Sequence, residues 1–199
     1  ELMMTEHDVF VLTGSGTGAL ESAVVNTLSP GQKVLAVSIG EFGDRFADIA
    51  VAFGANVQKM RFESGEHADA NRIREALNAD RDIRVLMITH NETSTGVTND
   101  MQEIGKLAKE MDVLLLVDSV SGIGSLPYPV DVWGGDVVCT GSQKGWMAPP
   151  GLAMVAVSER AWDAHKSATM PRVYWDYTAA KSYLAKKQTP WTPALSVMY

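Results

Sequence analysis

Short apolar runs alternate with amphipathic stretches along most of the chain, and this pattern predicts the fold. The apolar runs have the length of buried strands and are bounded by glycine, proline or polar residues. The stretches between them repeat apolar residues at helical spacing, as Ile104, Leu107 and Met111 do. Alternating strands and helices are typical of an α/β fold with a largely parallel sheet covered on both faces. The seven predicted strands are Asp8–Thr13, Lys33–Ser38, Asn56–Arg61, Val85–Ile88, Val113–Val117, Val137–Thr140 and Leu152–Val157.

Capping residues predict where several helices begin and end. A helix from about Phe42 to Phe53 should end at Gly54, because glycine is a natural C-terminal cap. Asp69 can accept hydrogen bonds at the start of the next helix. The alternation within Asn56–Arg61 indicates a more exposed strand. Further helices are predicted after Gly14–Ala19, around Ile104, near Glu159–Lys166 and near Ala179–Lys186.

Composition and charge narrow the class of protein. The chain has 199 residues and 46% hydrophobic content, which is enough for one sizeable core. Its formal charge of −7, without a basic cluster, argues against nucleic acid or an anionic membrane as partner. No apolar run approaches the roughly 20 residues that a membrane span needs, and no segment resembles a signal peptide. We therefore expect a cytoplasmic protein with no membrane partner, and the single cysteine, Cys139, excludes a cysteine-rich metal site.

The glycine-rich segment Gly14–Ala19 lies between a predicted strand and a predicted helix. Its glycines would let backbone N–H groups approach a phosphate at the positive end of the helix. The segment also fits the dinucleotide pattern G-x-G-x-x-A, but that pattern needs an acid at the end of the next strand, where Ser38 stands. Three interpretations remain open: a phosphate site, a nicotinamide-dinucleotide site, and a plain strand–helix turn.

Two charged residues follow two apolar strands, Asp118 after the first and Lys144 after the second. The carboxyl ends of strands in an open α/β sheet face the ligand crevice, so both groups could act on one molecule. A lysine that forms a Schiff base and a carboxylate that keeps a pyridine ring protonated are what pyridoxal phosphate requires. Ser142 and Gln143 would supply hydroxyl and amide groups for its phosphate. Together with the glycine segment, these residues favour pyridoxal phosphate over a solvent-exposed lysine.

The chain resembles the class-V, fold-type-I pyridoxal phosphate enzymes, and within them the alanine–glyoxylate and serine–glyoxylate aminotransferases. The resemblance covers Phe10 to about Val157 and, more weakly, the rest of the chain. Four blocks carry it, in the family's order and at close to its spacing. They are Gly14–Glu21, His90–Val97, Val117–Ser121, and Gly141–Gly145 followed by Ala148–Gly151.

The resemblance implies a role for each matching position around the cofactor, pyridoxal 5′-phosphate. It implies that Lys144 forms the Schiff base and that Asp118 pairs with the pyridinium nitrogen. It places Gly16, Thr17 and Gln143 at the phosphate.

Three further positions match the family's cofactor contacts. Phe42 falls where the family has an aromatic ring over the cofactor, often a tryptophan, although a core phenylalanine is the alternative. Thr93 matches the residue that hydrogen-bonds the 3′-oxygen. Thr192 resembles the residue that reaches the phosphate from the neighbouring subunit of a homodimer. His90 is interpreted as a hydrogen-bonding residue at a strand end, and Arg45 as part of a surface or interface ion pair.

The resemblance implies a ping-pong transamination from a small amino acid, alanine or serine, to glyoxylate or another 2-oxo acid. A desulfurase or related lyase of the same fold is the main alternative, but Cys139 lies inside an apolar strand and no other cysteine is present. A nicotinamide-dependent oxidoreductase and an inactive scaffold domain are further alternatives. We expect no metal site from the sequence.

The two ends suggest a piece of a longer protein. The chain opens with Glu1 instead of methionine and closes on Ser196–Tyr199, which reads as a helix under way. The resemblance implies that an arginine in a C-terminal small domain binds the substrate carboxylate, and we expect that domain to lie outside this sequence. We therefore expect residues 1–199 to be a cofactor-binding large domain, incomplete at both ends and inactive alone.

Overall fold

A computed structural model describes residues 2–198, and its centre is a seven-stranded sheet. The strand order is β1-β7-β6-β5-β4-β2-β3. All neighbours pair in parallel except at β7, which runs antiparallel to β1 and to β6. This confirms the expected seven-stranded, largely parallel sheet. The strands are β1 (Asp8–Thr13), β2 (Lys33–Ser38), β3 (Asn56–Arg61), β4 (Val85–Thr89), β5 (Leu114–Asp118), β6 (Val137–Gly141) and β7 (Leu152–Val157).

Burial explains why apolar and polar residues alternate in some strands and not in others. Every residue of β4, β5, β6 and β7 is buried, because helices cover both faces of the sheet there. By contrast, β3 lies at an edge and its residues are exposed or half-buried. The continuous apolar runs and the alternating run in the sequence therefore report the centre and the edge of one sheet.

The helices form two layers. The bounds predicted near 42–53, 159–166 and 179–186 agree with the structure to within two residues, and the short helix at Val130–Trp133 was not predicted because four residues show no helical period. The helices are α1 (Gly16–Thr27), α2 (Glu41–Ala52), α3 (Ala70–Ala79), α4 (Met101–Glu110), α5 (Val130–Trp133), α6 (Glu159–Ser167), α7 (Tyr177–Leu184) and α8 (Leu195–Met198), with a 3₁₀ turn at Leu2–Met4. Asp69 caps α3 as predicted, and α8 confirms the helical C-terminal pattern as far as Met198; Tyr199 lies outside the described residues.

Each face of the sheet has its own core. Leu20 of α1, Phe46 of α2 and Tyr177 of α7 are buried on one face. Ile73 of α3 and Ile104 of α4 are buried on the other. Asp118 continues the Leu114 and Leu116 row of β5, so it faces the layer that contains α1 and α2. Within residues 2–198, no helix combines the length and apolar character needed to cross a membrane.

Candidate active site

Asp118 ends β5 at the carboxyl edge of the sheet and is only 3% exposed. Its carboxylate accepts a hydrogen bond from the backbone N–H of Val120 at 3.0 Å. Burial raises the pKa of Asp118 to about 7, the Val120 N–H opposes that rise, Glu92 adds to it, and the Arg45 cation also opposes it. A buried acid with so few donors is poised to receive a cationic partner.

Thr89 lies directly across from Asp118 on the neighbouring strand β4. Its hydroxyl is close enough to favour the ionised form of Asp118, but among residues 2–198 no partner lies within hydrogen-bonding geometry. A buried polar atom left in this state typically costs about 1–3 kcal/mol. Thr89 and Asp118 thus form a small polar patch that the protein does not satisfy by itself.

Lys144 lies in the loop that leaves the next strand, β6, and returns to β7. Ser142 holds this loop in place: its hydroxyl donates to the Pro149 carbonyl at 2.6 Å and accepts the Leu152 N–H at 3.2 Å. Both hydrogen bonds of this hydroxyl are made within the loop. We therefore interpret Ser142 as a residue that holds the loop in place and not as a phosphate ligand. Lys144 is half-buried, and no carboxylate of the described residues lies within 4 Å of its Nζ atom.

The glycine segment packs onto the ends of β5 and β6. Gly16 is the first residue of α1, and Ser15 caps the helix by accepting the Gly18 N–H. A Cβ atom on Gly16 would lie 2.8 Å from both methyl carbons of Val120, and one on Gly141 would lie 3.4 Å from the Gly16 nitrogen. The close approach to Val120 requires the absent side chain at Gly16, and it places the first turn of α1 against the segment that follows Asp118.

Trp175 explains the other two glycines, and the sequence contained no local signal for it. A Cβ atom on either Gly14 or Gly18 would lie 2.7 Å from the Cη2 atom of the Trp175 indole. The indole therefore covers the outer side of the glycine segment. These two glycines serve packing, whereas Gly16 serves the approach to the strand ends.

Phe42 lies at the start of α2 and is half-buried. The guanidinium of Arg45 lies 4.6 Å from the centre of its ring, an attractive cation–π distance. Arg45 also lies 3.7 Å from Glu41, which agrees with the predicted surface ion pair. Phe42 is bonded through its backbone N–H to the Glu92 carboxylate, so it is joined to the loop that carries Thr93.

The remaining predicted ligands lie at the same edge with exposed side chains. Thr17 is in the first turn of α1, Thr93 is in the loop after β4, and Gln143 precedes Lys144. Thr192 lies beside the end of β1 of its own chain, where its carbonyl accepts the Thr13 hydroxyl at 3.4 Å. The roles of these residues toward a cofactor stay predictions.

His90 and Cys139 are both buried and serve structure. The Nδ1 atom of His90 lies 2.9 Å from the Ser119 hydroxyl, and burial lowers the pKa of His90 to about 4, so the ring is neutral at pH 7. This agrees with its interpretation as a strand-end hydrogen-bonding residue. Burial raises the pKa of Cys139, whose Sγ atom lies 3.3 Å from the Ala19 carbonyl. Cys139 is therefore not available as a nucleophile.

The topology separates this site from a dinucleotide-binding fold. In that fold the strand before the glycine loop lies in the middle of a parallel sheet, in the order 3-2-1-4-5-6. Here β1 lies at one edge and pairs only with the antiparallel strand β7. The fold and the acid and lysine at adjacent strand ends instead define the large domain of a fold-type-I transferase.

Comparison with known proteins identifies the family. Residues 2–185 match the family Aminotransferase class-V, and the chain therefore belongs to the class-V aminotransferases. Its relatives include the soluble hydrogenase 42 kDa subunit of Anabaena cylindrica, 44% identical over 99% of this chain and 52% of that protein. The L-aspartate–glyoxylate aminotransferase of Paracoccus denitrificans is 41% identical over 99% of this chain and 51% of that protein.

Solved structures agree with this assignment. The crystal structure of alanine–glyoxylate aminotransferase from Nostoc sp. superposes with a TM-score of 0.92 and 31% identity, covering 98% of this chain and 52% of that one. The chain spans about half the length of the curated relatives it matches.

Proposed function

We propose that this chain is the cofactor-binding large domain, residues 1–199, of a pyridoxal phosphate-dependent aminotransferase. Residues Glu1 and Tyr199 of that span lie outside the described structure. The observation that carries the proposal is the buried Asp118, which has one backbone donor and faces the unpaired Thr89 hydroxyl. The loop of Lys144 leaves the adjacent strand at the same edge of the sheet.

The residues present fit this cofactor. Asp118 would hold a protonated pyridine nitrogen, since a cation replaces the water that burial has removed. Gly16 and Thr17 would bind the phosphate with the N–H groups of the first turn of α1. Gln143 would add a side-chain amide, and Phe42 would stack on the ring.

Lys144 has two roles in the proposed reaction. Its Nζ atom would hold the cofactor by a covalent bond and, when an amino acid displaces it, would take the proton from the substrate Cα as a general base. Bound pyridoxal phosphate supplies the electron sink that makes this proton acidic enough to remove. Asp118 would support this effect by keeping the ring nitrogen of the bound cofactor protonated and therefore positively charged.

The substrates we propose are a small amino acid, alanine or serine, as donor and glyoxylate or another 2-oxo acid as acceptor. The names of the relatives support glyoxylate as acceptor, and one of them adds aspartate as a donor to test. We further propose a cytoplasmic homodimer in which Thr93 contacts the 3′-oxygen and Thr192 reaches the partner's phosphate. Assaying alanine, serine and aspartate with glyoxylate in the whole protein identifies the donor.

Covalent trapping tests the central proposal. Borohydride added with pyridoxal phosphate should attach a pyridoxyl group to the peptide that contains Lys144, as measured by mass spectrometry. Lys144→Ala should lose this label, whereas Lys106→Ala, at an exposed lysine of α4, should retain it. Equal labelling of the wild type and Lys144→Ala at other sites would refute the proposed role of Lys144.

A further inference from the structure

Glu92 is a fully buried acid that neither the resemblance nor the proposed mechanism explains. It is 0% exposed, and its carboxylate accepts hydrogen bonds from four donors. Two are the backbone N–H groups of Phe42 and Gly43, each at 3.1 Å. The other two belong to Ser94, whose N–H lies at 3.1 Å and whose hydroxyl lies at 2.7 Å.

The bonds to Phe42 and Gly43 replace a missing helix cap. The residue before α2 is Gly40, which has no side chain to satisfy the first N–H groups of the helix. Glu92 satisfies them from a position 50 residues further along the chain. A negatively charged acceptor at a helix N-terminus also interacts favourably with the helix dipole.

Gly40 makes room for this cap. A Cβ atom at that position would lie 2.6 Å from the Cγ atom of Glu92 and 2.6 Å from the Ser94 hydroxyl. The absent side chain at Gly40 and the carboxylate of Glu92 are therefore two halves of one arrangement. It locks the loop after β2 to the loop after β4.

The two loops that Glu92 joins carry two of the predicted cofactor contacts. The backbone N–H of Phe42 donates a hydrogen bond to Glu92, so the cap fixes the backbone from which the Phe42 ring projects. Thr93 lies between Glu92 and Ser94, both of which belong to the same set of hydrogen bonds. A change in the cap would move both residues together.

We propose that Glu92 is a positioning residue that holds Phe42 and Thr93 in place for the pyridoxal phosphate ring. This inference rests on the proposed function, because it concerns the ring that these residues would contact. All the hydrogen bonds of the cap lie within the protein, so the cap would preorganise the two loops for the ring. Losing the cap should therefore weaken cofactor binding as well as the helix.

Glu92→Gln provides the sharpest test, because it keeps the size of the side chain but turns one acceptor into a donor. In the full chain we expect the dissociation constant for pyridoxal phosphate to rise about tenfold, measured by titration of the tryptophan fluorescence. In the absence of pyridoxal phosphate, the amide hydrogens of Phe42 and Gly43 should exchange faster in Glu92→Gln.

Asp69→Asn is a matched control, because Asp69 caps α3 by accepting the Asn71 and Arg72 N–H groups. Because asparagine caps helices about as well as aspartate, it should change the melting temperature little and leave the cofactor dissociation constant within about twofold. If Glu92→Gln fails to fold, Ser94→Ala removes one donor of the same carboxylate and should raise the dissociation constant about threefold.

A double-mutant cycle separates positioning from general weakening. In a Phe42→Ala background, Glu92→Gln should raise the dissociation constant by less than half of its effect in the wild type, because the ring it positions is gone. A Glu92→Gln protein that binds pyridoxal phosphate within about twofold of the wild type would overturn the inference alone. A wild type that does not bind pyridoxal phosphate would overturn the proposed function and this inference with it.

Discussion

Two buried aspartates lie at opposite ends of the neighbouring strands β5 and β6 and have very different surroundings. Asp136, before β6, is 6% exposed, and its carboxylate accepts three hydrogen bonds: from the Leu115 N–H at 2.8 Å, the Ser158 hydroxyl at 2.8 Å and the Arg160 guanidinium at 3.2 Å. Asp118, at the end of β5, is 3% exposed and has only the Val120 N–H.

The difference indicates a structural role for Asp136 and supports the proposed cofactor-binding role of Asp118. The donors of Asp136 come from the start of β5, the end of β7 and α6, so this carboxylate ties three elements together. Asp118 was removed from water without equivalent compensation, and this is why its pKa rises. A protein retains such an acid where a ligand supplies the missing charge.

Removing Asp136 should cause the largest loss of stability. Asp136→Ala leaves a buried N–H, a hydroxyl and a guanidinium without their acceptor, and we expect the free energy of unfolding to fall by about 3 kcal/mol. Urea denaturation monitored by circular dichroism measures this loss. A loss below about 1 kcal/mol would mean that water replaces the carboxylate and that the comparison is wrong.

Neutralising Asp118 should increase the free energy of unfolding instead of reducing it, and the size of the increase should depend on pH. The pKa of Asp118 rises from 3.8 to about 7 on folding, so the folded chain binds more protons than the unfolded chain between these values. Its stability therefore falls as the pH rises through this window and stays at the lower level above pH 7. Asp118→Asn should therefore stabilise the cofactor-free chain by up to about 4 kcal/mol at pH 8 and have little effect at pH 4.

The same variant should bind pyridoxal phosphate more weakly than the wild type, because it cannot offer a negative charge to the ring. Urea denaturation at the two pH values, with Asp136→Asn as the matched control, measures the stability change. Destabilisation of Asp118→Asn at pH 8 would contradict the proposed contrast between the two acids.

Glu92→Gln tests whether the charge of Glu92 contributes to the raised pKa of Asp118. The charged groups that affect the pKa of Asp118 are Glu92 from the loop after β4 and Arg45 from α2. Removing the negative charge of Glu92 should lower the pKa of Asp118, although burial keeps it above 3.8. Carbon-13 NMR of the Asp118 carboxyl measures this; an unchanged or higher pKa would contradict the assignment of causes.

The smallest effect is expected beside the structural acid, at Asp112. This residue also pairs with Arg160, at 3.2 Å, but its side chain is 85% exposed. Asp112→Ala should reduce the free energy of unfolding by less than about 1 kcal/mol, because water screens an exposed ion pair. A loss equal to that of Asp136→Ala would show that burial does not distinguish the two partners of Arg160.

The sequence by itself determined the strands, most helices and the two charged strand ends. These features are local: a strand between covering helices needs a continuous apolar run, as Leu114–Val117 provides, and a helix start needs a nearby acceptor, as Asp69 provides. Because sequential strands alternate with helices, the order of elements also predicted the parallel sheet. Asp118 could be named because it follows such a run directly, and Lys144 because it follows the next run after Gly141, Ser142 and Gln143.

Only the tertiary structure decided what surrounds these residues. The Trp175 indole against Gly14 and Gly18 and the Glu92 cap on α2 join positions far apart in the chain. No short-range period reports such contacts, since they depend on which loops meet when the strands are ordered in the sheet. The same ordering left Asp118 with one hydrogen-bond donor and Asp136 with three, although both are aspartates beside apolar strands.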